Sequence, residues 1–252
     1  MGEKLNKAIL PDKYDNYVFD LYGTLVDIHT DEEPKEIWDK LALFYGYYGA
    51  CYSAEELKKR YETLVKGKEA DLKVSLENDP HYAHESSPEI EITDVFQSLF
   101  MEKGVEADNT LAIHAGQFFR VLATEYIRVY PGTIEMLQNL KKKGKNVYLL
   151  SNAQRIFTAY EMQVIQIAKY FDDTECWGRT RTCKGESNKI LIKRNNLCNP
   201  VYAGDTSGDA ESADYAGIPF IYAAYGFGNV SSDKYIAKID DIKNLPELME
   251  EL

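Results

Sequence analysis

No stretch of this chain holds the roughly 18 or more consecutive apolar residues that a membrane-spanning helix needs. Met1 to Lys13 is polar and lacks the apolar run of a secretory signal. The expectation is a cytoplasmic protein with no membrane partner. The four cysteines, Cys51, Cys176, Cys183 and Cys198, show no Cys-x-x-Cys spacing, which argues against a zinc site and against a secreted disulfide framework, and leaves free thiols. Positive charge is in short supply. With 29 Lys and Arg against 41 Asp and Glu, a net charge of −12 disfavours a general affinity for nucleic acid or anionic membrane. An anionic substrate would need a local cationic patch or a metal ion to overcome that field. Internal repeats and low-complexity segments are absent too.

What is present suits a globular enzyme-sized chain. At 252 residues, 44% hydrophobic and 28% charged, there is material for one sizeable core plus a smaller second unit. The first strand signal is Tyr17 to Phe19, an apolar run ending in Asp20 and followed by a turn centred on Gly23. From Pro34 to Arg128 the pattern becomes helical and charged, with amphipathic stretches at Pro34–Tyr48, Ser53–Val65, Pro88–Glu102 and Asn109–Ile127, no convincing strand, and a polar loop from Glu77 to Ser87. After Tyr130-Pro131-Gly132 the pattern alternates. Helices are expected at Thr133–Lys143, Arg155–Lys169, Ser187–Asn195 and Gly208–Ala216, with strands at Asn146–Leu150, Glu175–Trp177, Pro200–Ala203 and Ile218–Ala223, and a terminal helix at Leu245–Leu252. Alternating strands and helices predict a parallel sheet covered on both faces. The economical organisation is a discontinuous α/β domain, 1–29 plus 129–252, with an all-helical insertion at 30–128.

Ligands of open parallel sheets bind outside the carboxyl ends of the strands. At those ends stand Asp20, then Ser151-Asn152, then the run from Gly204 to Asp209 that contains Asp205 and Asp209. Asp209 alone, just before a helix, reads equally well as a cap. The set does not. Like charges gathered in a cleft repel and rise in pKa unless a cation neutralises them, and oxygen ligands of this kind suit Mg²⁺.

These residues resemble the motifs of the haloacid dehalogenase superfamily. Val18-Phe19-Asp20-Leu21-Tyr22-Gly23-Thr24-Leu25-Val26-Asp27 looks like its first motif, usually Asp-x-Asp-Gly-Thr. Leu149-Leu150-Ser151-Asn152-Ala153 resembles the second, Lys184 the third and Tyr202 to Asp209 the fourth. The segments Ala216 to Phe220 and Tyr225 to Gly228 are similar to those that follow it. The resemblance implies a Rossmann-like α/β core with a helical cap between motifs one and two. It implies Asp20 as a covalent nucleophile, Ser151 and the amide of Asn152 as holders of the transferring group, and Lys184 as a charge clamp on Asp20 and the anionic substrate. Thr24 would donate a hydroxyl hydrogen bond and Gly23 would give the chain room to turn. Asp20, the main-chain carbonyl of Tyr22 and Asp205 would hold Mg²⁺, with Asp209 in the first or second shell.

One residue departs from the pattern. The family's second aspartate, two residues after the nucleophile, protonates the leaving oxygen and later activates water; here it is Tyr22. Such assistance contributes on the order of 10² to 10⁴ in rate, and a phenol with an unperturbed pKa of about 10 is a poor replacement at neutral pH. Tyrosine at this position resembles the 2-haloacid dehalogenases, whose leaving halide needs no proton. Against that reading, both fourth-motif aspartates stand here, and no arginine occurs between Asp20 and Arg60 to receive halide. The expectation is a Mg²⁺-dependent phosphatase of small phosphorylated molecules acting through an aspartyl-phosphate. The alternatives are a dehalogenase-like hydrolase forming an aspartyl ester and a weakly active metabolite-binding protein. Asp27, His81, His84, Arg120 and Arg128 carry no assigned role, and oligomeric state is not legible.

Overall fold

The structure is a computed structural model that describes residues 14–79, 89–179 and 182–245. His81, His84, most of the loop expected up to Ser87 and the terminal helix expected beyond Leu245 lie outside them. In chain order the strands are β1 (Asn16–Phe19), β2 (Val26–Thr30), β3 (Thr124–Val129), β4 (Asn146–Gln154), β5 (Asp173–Trp177), β6 (Pro200–Gly204), β7 (Phe220–Ala223) and β8 (Ala237–Ile239). The helices are α1 (Lys35–Tyr47), α2 (Ala54–Leu76), α3 (Ile92–Met101), α4 (Asn109–Ala123), α5 (Thr133–Lys142), α6 (Arg155–Val164), α7 (Lys184–Asn195) and α8 (Ser207–Ala216). The chain divides into two compact units: residues up to 27 with 127–153 and those from 161 onward, and residues 28–126 with 154–160.

The first unit is built on a six-stranded sheet in the order β5-β4-β1-β6-β7-β8. β1 runs parallel to β4 and β6, β6 to β7, and β7 to β8. Side chains alternate between two apolar layers, as the period of two in a strand requires. Tyr17, Phe19, Val147, Leu149, Val201, Ala203, Ile221 and Ala223 pack on one face with Met136, Leu137 and Leu140 of α5 and Met162 of α6. Val18, Tyr148, Leu150, Tyr202, Phe220 and Tyr222 pack on the other with Leu191 of α7 and Ala210 and Ala213 of α8. The predicted α/β architecture with helices on both faces is therefore present. Burying a side chain such as the fully enclosed Phe19 contributes about 1.5–3 kcal/mol.

The second unit is helical and aromatic at its centre. Trp38, Tyr45, Tyr61, Phe96, Phe100 and Phe119 from α1 to α4 share one core. Trp38 and Phe119 lie 5.0 Å apart between centroids and Tyr45 and Phe100 lie 4.2 Å apart, while the Tyr45 hydroxyl donates to the Phe96 carbonyl at 2.9 Å. Among the described residues no helix is long and apolar enough to cross a membrane.

Several local expectations need correction. The stretch read as one helix from Asn109 to Ile127 ends at Ala123, and Thr-Glu-Tyr-Ile-Arg-Val from 124 to 129 forms β3, because alternating β-branched and aromatic residues suit a strand. It makes a two-stranded sheet with β2; neither β2 nor the short β8 was anticipated. The helix expected to stop at Val65 continues to Leu76. The one expected to reach Lys169 ends at Val164, where the chain goes on to a left-handed Gln166 (φ 62°). The third helix starts at Ile92 rather than Pro88. β4 extends to Gln154, so Ser151 and Asn152 belong to the strand rather than follow it.

An ion cluster ties β5 to α7. Asp173 accepts from Arg179 Nη1 at 2.8 Å, Arg194 Nε at 2.7 Å and Asn195 Nδ2 at 2.9 Å. Burial raises its carboxyl, but the Asn195, Arg179 and Arg194 hydrogen bonds outweigh that and hold it well below the usual carboxylate range. A depressed folded-state pKa gives stability that is present above the unfolded value and lost as pH falls through it toward the folded value. Asp173→Asn should lower the thermal midpoint at pH 7. The gap from the unaltered protein should shrink in melts taken below pH ~4, the unfolded value for aspartate.

Candidate active site

The register of the sheet brings the site together. Phe19 pairs with Leu149 on one side and Ala203 on the other, so Asp20, one residue past in β1, and Ser151 and Asp205, two residues past in β4 and β6, reach the same edge. The Asp20 amide extends the ladder by donating to the Ala203 carbonyl at 2.9 Å, which fixes the direction in which its carboxylate leaves the strand. The chain then turns sharply, with Gly23 at φ +87° donating to the Val26 carbonyl at 2.8 Å.

Two glycines let that turn close on Asp205. A Cβ on Gly23 would lie 2.2 Å from Asp205 Oδ2, and one on Gly226 would lie 2.3 Å from Asp205 Cβ and 2.4 Å from the Gly23 carbonyl oxygen. Asp205 is fully buried. It accepts from Thr24 Oγ1 at 2.9 Å and from the Phe227 amide at 2.8 Å, and the Tyr225 hydroxyl donates to the Thr24 carbonyl at 2.6 Å.

Lys184, the first residue of α7, joins the segments. Its Nζ donates to Asp20 Oδ1 at 2.7 Å and to Asp209 Oδ1 at 2.5 Å. Asp209 also accepts from the Tyr202 hydroxyl at 2.7 Å, the Asp205 amide at 3.2 Å, the Thr206 amide at 2.9 Å and Thr206 Oγ1 at 2.7 Å. Thr206 is the N-cap of α8, and Asp209 completes a capping box with it. The cap reading of Asp209 is thus half of its role and the Lys184 contact is the other half. Five donors on one carboxylate fill the roughly four lone-pair sites it offers. The oxygens open to a further ligand are therefore those of Asp20 and Asp205.

The electrostatics follow from burial. Asp20, Asp205 and Asp209 each offer an oxygen within 4.8 Å of the others. Burial pushes the Asp20 carboxyl up, Lys184 pulls it back, and Asp209 and Asp205 repel, which leaves it at about 8. Asp205 is raised by burial and by Asp209. Asp209 is lowered, because Lys184 outweighs its burial. Lys184 is held above its ordinary value, the pull of Asp20 and Asp209 outweighing its desolvation. With all three ionised, three carboxylates would face one ammonium. That excess, on hard oxygen donors, fits one divalent cation such as Mg²⁺.

The remaining sequence candidates fall as follows. Ser151 is buried and its Oγ accepts from the Ala153 amide at 3.3 Å; Asn152 is partly buried beside it. The Tyr22 hydroxyl donates to Glu161. Lys189 is not part of the cluster: it lies 3.6 Å from the centre of the Tyr215 ring. Asp27 pairs with Arg128 at 2.6 Å, and Arg120 sits over the Phe157 ring at 5.4 Å. None of Cys51, Cys176, Cys183 and Cys198 is in a disulfide. Sequence reading missed Tyr202, Thr206 and Glu161. Only Thr206 left a signal, the Thr-x-x-Asp spacing of a capping box.

An α/β sheet carrying an acidic cluster and a buried lysine at its carboxyl edge defines a class of hydrolases. A model of the haloacid dehalogenase-like hydrolase family matches residues 14–217, and the chain belongs to that family. A phosphoglycolate phosphatase of Rhodobacter capsulatus is 27% identical over 126 residues, or 48% of this chain and 58% of that protein, so the match spans little more than half of the relative's length. A haloacid dehalogenase-type hydrolase of Bacillus subtilis, solved bound to magnesium, has a TM-score of 0.54 at 15% identity over 94% of this chain and 99% of that one. A crystallised dehalogenase has a TM-score of 0.56 at 15% identity over 96% and 100%. At those identities the two structures speak for the fold alone.

Gly226→Ala forces a methyl group into Asp205 and the Gly23 backbone, and should destabilise the protein by roughly 1–3 kcal/mol in urea melts. Gly67→Ala, in α2 with nothing within 4 Å of the added carbon, should instead gain about 0.5–1 kcal/mol.

Proposed function

We propose that this chain is a Mg²⁺-dependent phosphatase of small phosphorylated molecules, with Asp20 as the nucleophile that forms and loses an aspartyl-phosphate. The observation that carries the reading is the buried Lys184 bridging Asp20 and Asp209 within a cluster of three carboxyl groups that could hold a metal ion. A cluster kept for packing alone would not concentrate carboxylates at a sheet edge, where their mutual repulsion opposes folding. The likeness to a phosphoglycolate phosphatase adds support for a phosphomonoester substrate.

In this reading Asp20, the Tyr22 carbonyl and Asp205 would hold the ion, while the Asp209 oxygens are engaged by Lys184, Tyr202 and Thr206. When bound, Mg²⁺ would neutralise the carboxylates and offset charge on the phosphoryl oxygens. Asp20 attacks phosphorus, splitting one displacement into two. Lys184 holds the attacking carboxylate in place and balances charge that grows on the transferring group. Ser151 and the Asn152 amide orient the phosphoryl oxygens. The helical insertion, whose last helix ends at Ala123, would serve as the cap that selects the substrate.

Incubation with p-nitrophenyl phosphate and with phosphoglycolate should give hydrolysis that requires Mg²⁺ and is abolished in Asp20→Asn. Equal rates with Mg²⁺, with EDTA and in the variant would overturn the assignment. Lys184→Met should lower kcat by roughly 10²–10³-fold, the range for loss of one preorganised stabilising group. The competing reading, drawn from Tyr22, predicts chloride release from 2-chloropropionate in EDTA; the intact Asp205 and Asp209 pair predicts none.

A further inference from the structure

Lys184 is held by α8 at both of its ends. Its Nζ donates to Asp209 Oδ1 at 2.5 Å, and its main-chain carbonyl accepts from Ser212 Oγ at 3.1 Å. Asp209 and Ser212 lie three residues apart on α8, the spacing that puts two side chains on one helix face. The Ser212 hydroxyl has one proton, and that proton goes to the Lys184 carbonyl. Its lone pairs accept from Asn188 Nδ2 of α7 at 3.3 Å, and the Ser212 carbonyl accepts from the same nitrogen at 3.4 Å. Asn188 is one helical turn beyond Lys184, so the chain of hydrogen bonds returns to the helix that carries the lysine.

These polar groups stand where packing alone would place apolar ones. Asn188 and Ser212 are both fully buried, between helices that also bury Leu191, Ala210 and Ala213. Asn188 Oδ1 has no hydrogen-bond partner among the described residues, an arrangement that costs stability and that an apolar side chain would avoid. The first turn of α7 needs holding from outside, because its N-cap is Cys183, whose Sγ accepts from the Glu186 amide at 3.4 Å, and sulfur is a weak acceptor. A second hold comes from Tyr215 of α8, whose hydroxyl donates to Glu186 Oε1 at 2.5 Å.

We infer that Asn188 and Ser212 are positioning residues that aim the Lys184 ammonium at Asp20; their use in catalysis rests on the phosphatase reading above. A lysine side chain has a long flexible stem and gives up much rotational freedom when it is aimed. Here the carbonyl end is tied to Ser212 and the ammonium end to Asp209, one turn earlier on the same helix. The span between the two ends is therefore set by α8 itself, and Nζ meets Asp20 Oδ1 at 2.7 Å. Asn188 keeps the Ser212 proton turned toward the Lys184 carbonyl by occupying the lone pairs on the other side. Both side chains act through Lys184.

The test compares the full chain with Ser212→Ala and with the double variant Ser212→Ala, Asn188→Leu. Replacing both partners of a buried hydrogen bond by apolar groups of similar shape is close to neutral for stability, so the thermal midpoint of the double variant should match or exceed that of the unaltered protein. With p-nitrophenyl phosphate and Mg²⁺, kcat should fall by roughly 10- to 100-fold while KM changes far less. Another readout needs no turnover: the NMR signal of the Lys184 ammonium, recognised by its absence from Lys184→Met, should shift, and its hydrogens should exchange faster with water. Ser212→Ala alone carries the same expectation if the double variant fails to fold. An unaltered kcat together with an unmoved Lys184 signal would refute the positioning role. So would a fall in kcat that follows a fall in thermal midpoint while the Lys184 signal stays in place, which is what a packing role produces. Absence of Mg²⁺-dependent turnover from the unaltered protein would remove the phosphatase reading, and the Lys184 signal would still decide whether Asn188 and Ser212 aim the ammonium.

Discussion

A single buried ammonium group holds this site in being. Lys184 sits between Asp20 and Asp209, at 2.7 and 2.5 Å, and all three are buried. Three segments distant in sequence are joined by it: the end of β1, the start of α7 and the first turn of α8. Breaking a buried ion pair by removing one partner costs about 3–5 kcal/mol, because the other charge is left uncompensated. Here removal would leave three carboxylates within 4.8 Å of one another. The surrounding hydrogen bonds from Tyr202, Thr206 and Thr24 lower that repulsion only in part, and the cluster could hold a metal ion.

Asp209 shows how stability and function share one side chain. As the N3 residue of the α8 capping box it satisfies backbone donors at the helix start. As acceptor from Lys184 and Tyr202 it sets the lysine's direction toward Asp20. Because all its acceptor capacity goes to these tasks, it is a scaffold for the reacting groups rather than one of them. The glycines at 23 and 226 act in the opposite manner, by what they lack: each leaves open the volume that Asp205 occupies.

Tyr22 illustrates the limit of a motif. Read along the chain, tyrosine in that place suggests a lost proton donor. Folded, the same tyrosine is hydrogen bonded to Glu161 of α6, a partner the motif does not record. A motif records which residue lies two positions on, whereas hydrogen bonding depends on which groups the fold brings within reach.

The amino-acid sequence by itself determined the α/β alternation, the strand-end placement of Asp20 and Asp205, and the family motifs, because these depend on local periodicity and on short spacings that survive folding unchanged. Strand Thr124–Val129 was hidden behind the helical pattern that precedes it, since a six-residue strand shifts a hydrophobic period too briefly to stand out. Only the tertiary structure decided that Asp209 spends its oxygens on Lys184, Tyr202 and Thr206, that Gly23, far earlier in the chain, makes room for Asp205, and that Glu161 meets Tyr22 across 139 residues of chain. Contacts of that kind arise from strand register and helix packing, and nothing in the local sequence announces which distant side chain will fill the space beside a given oxygen.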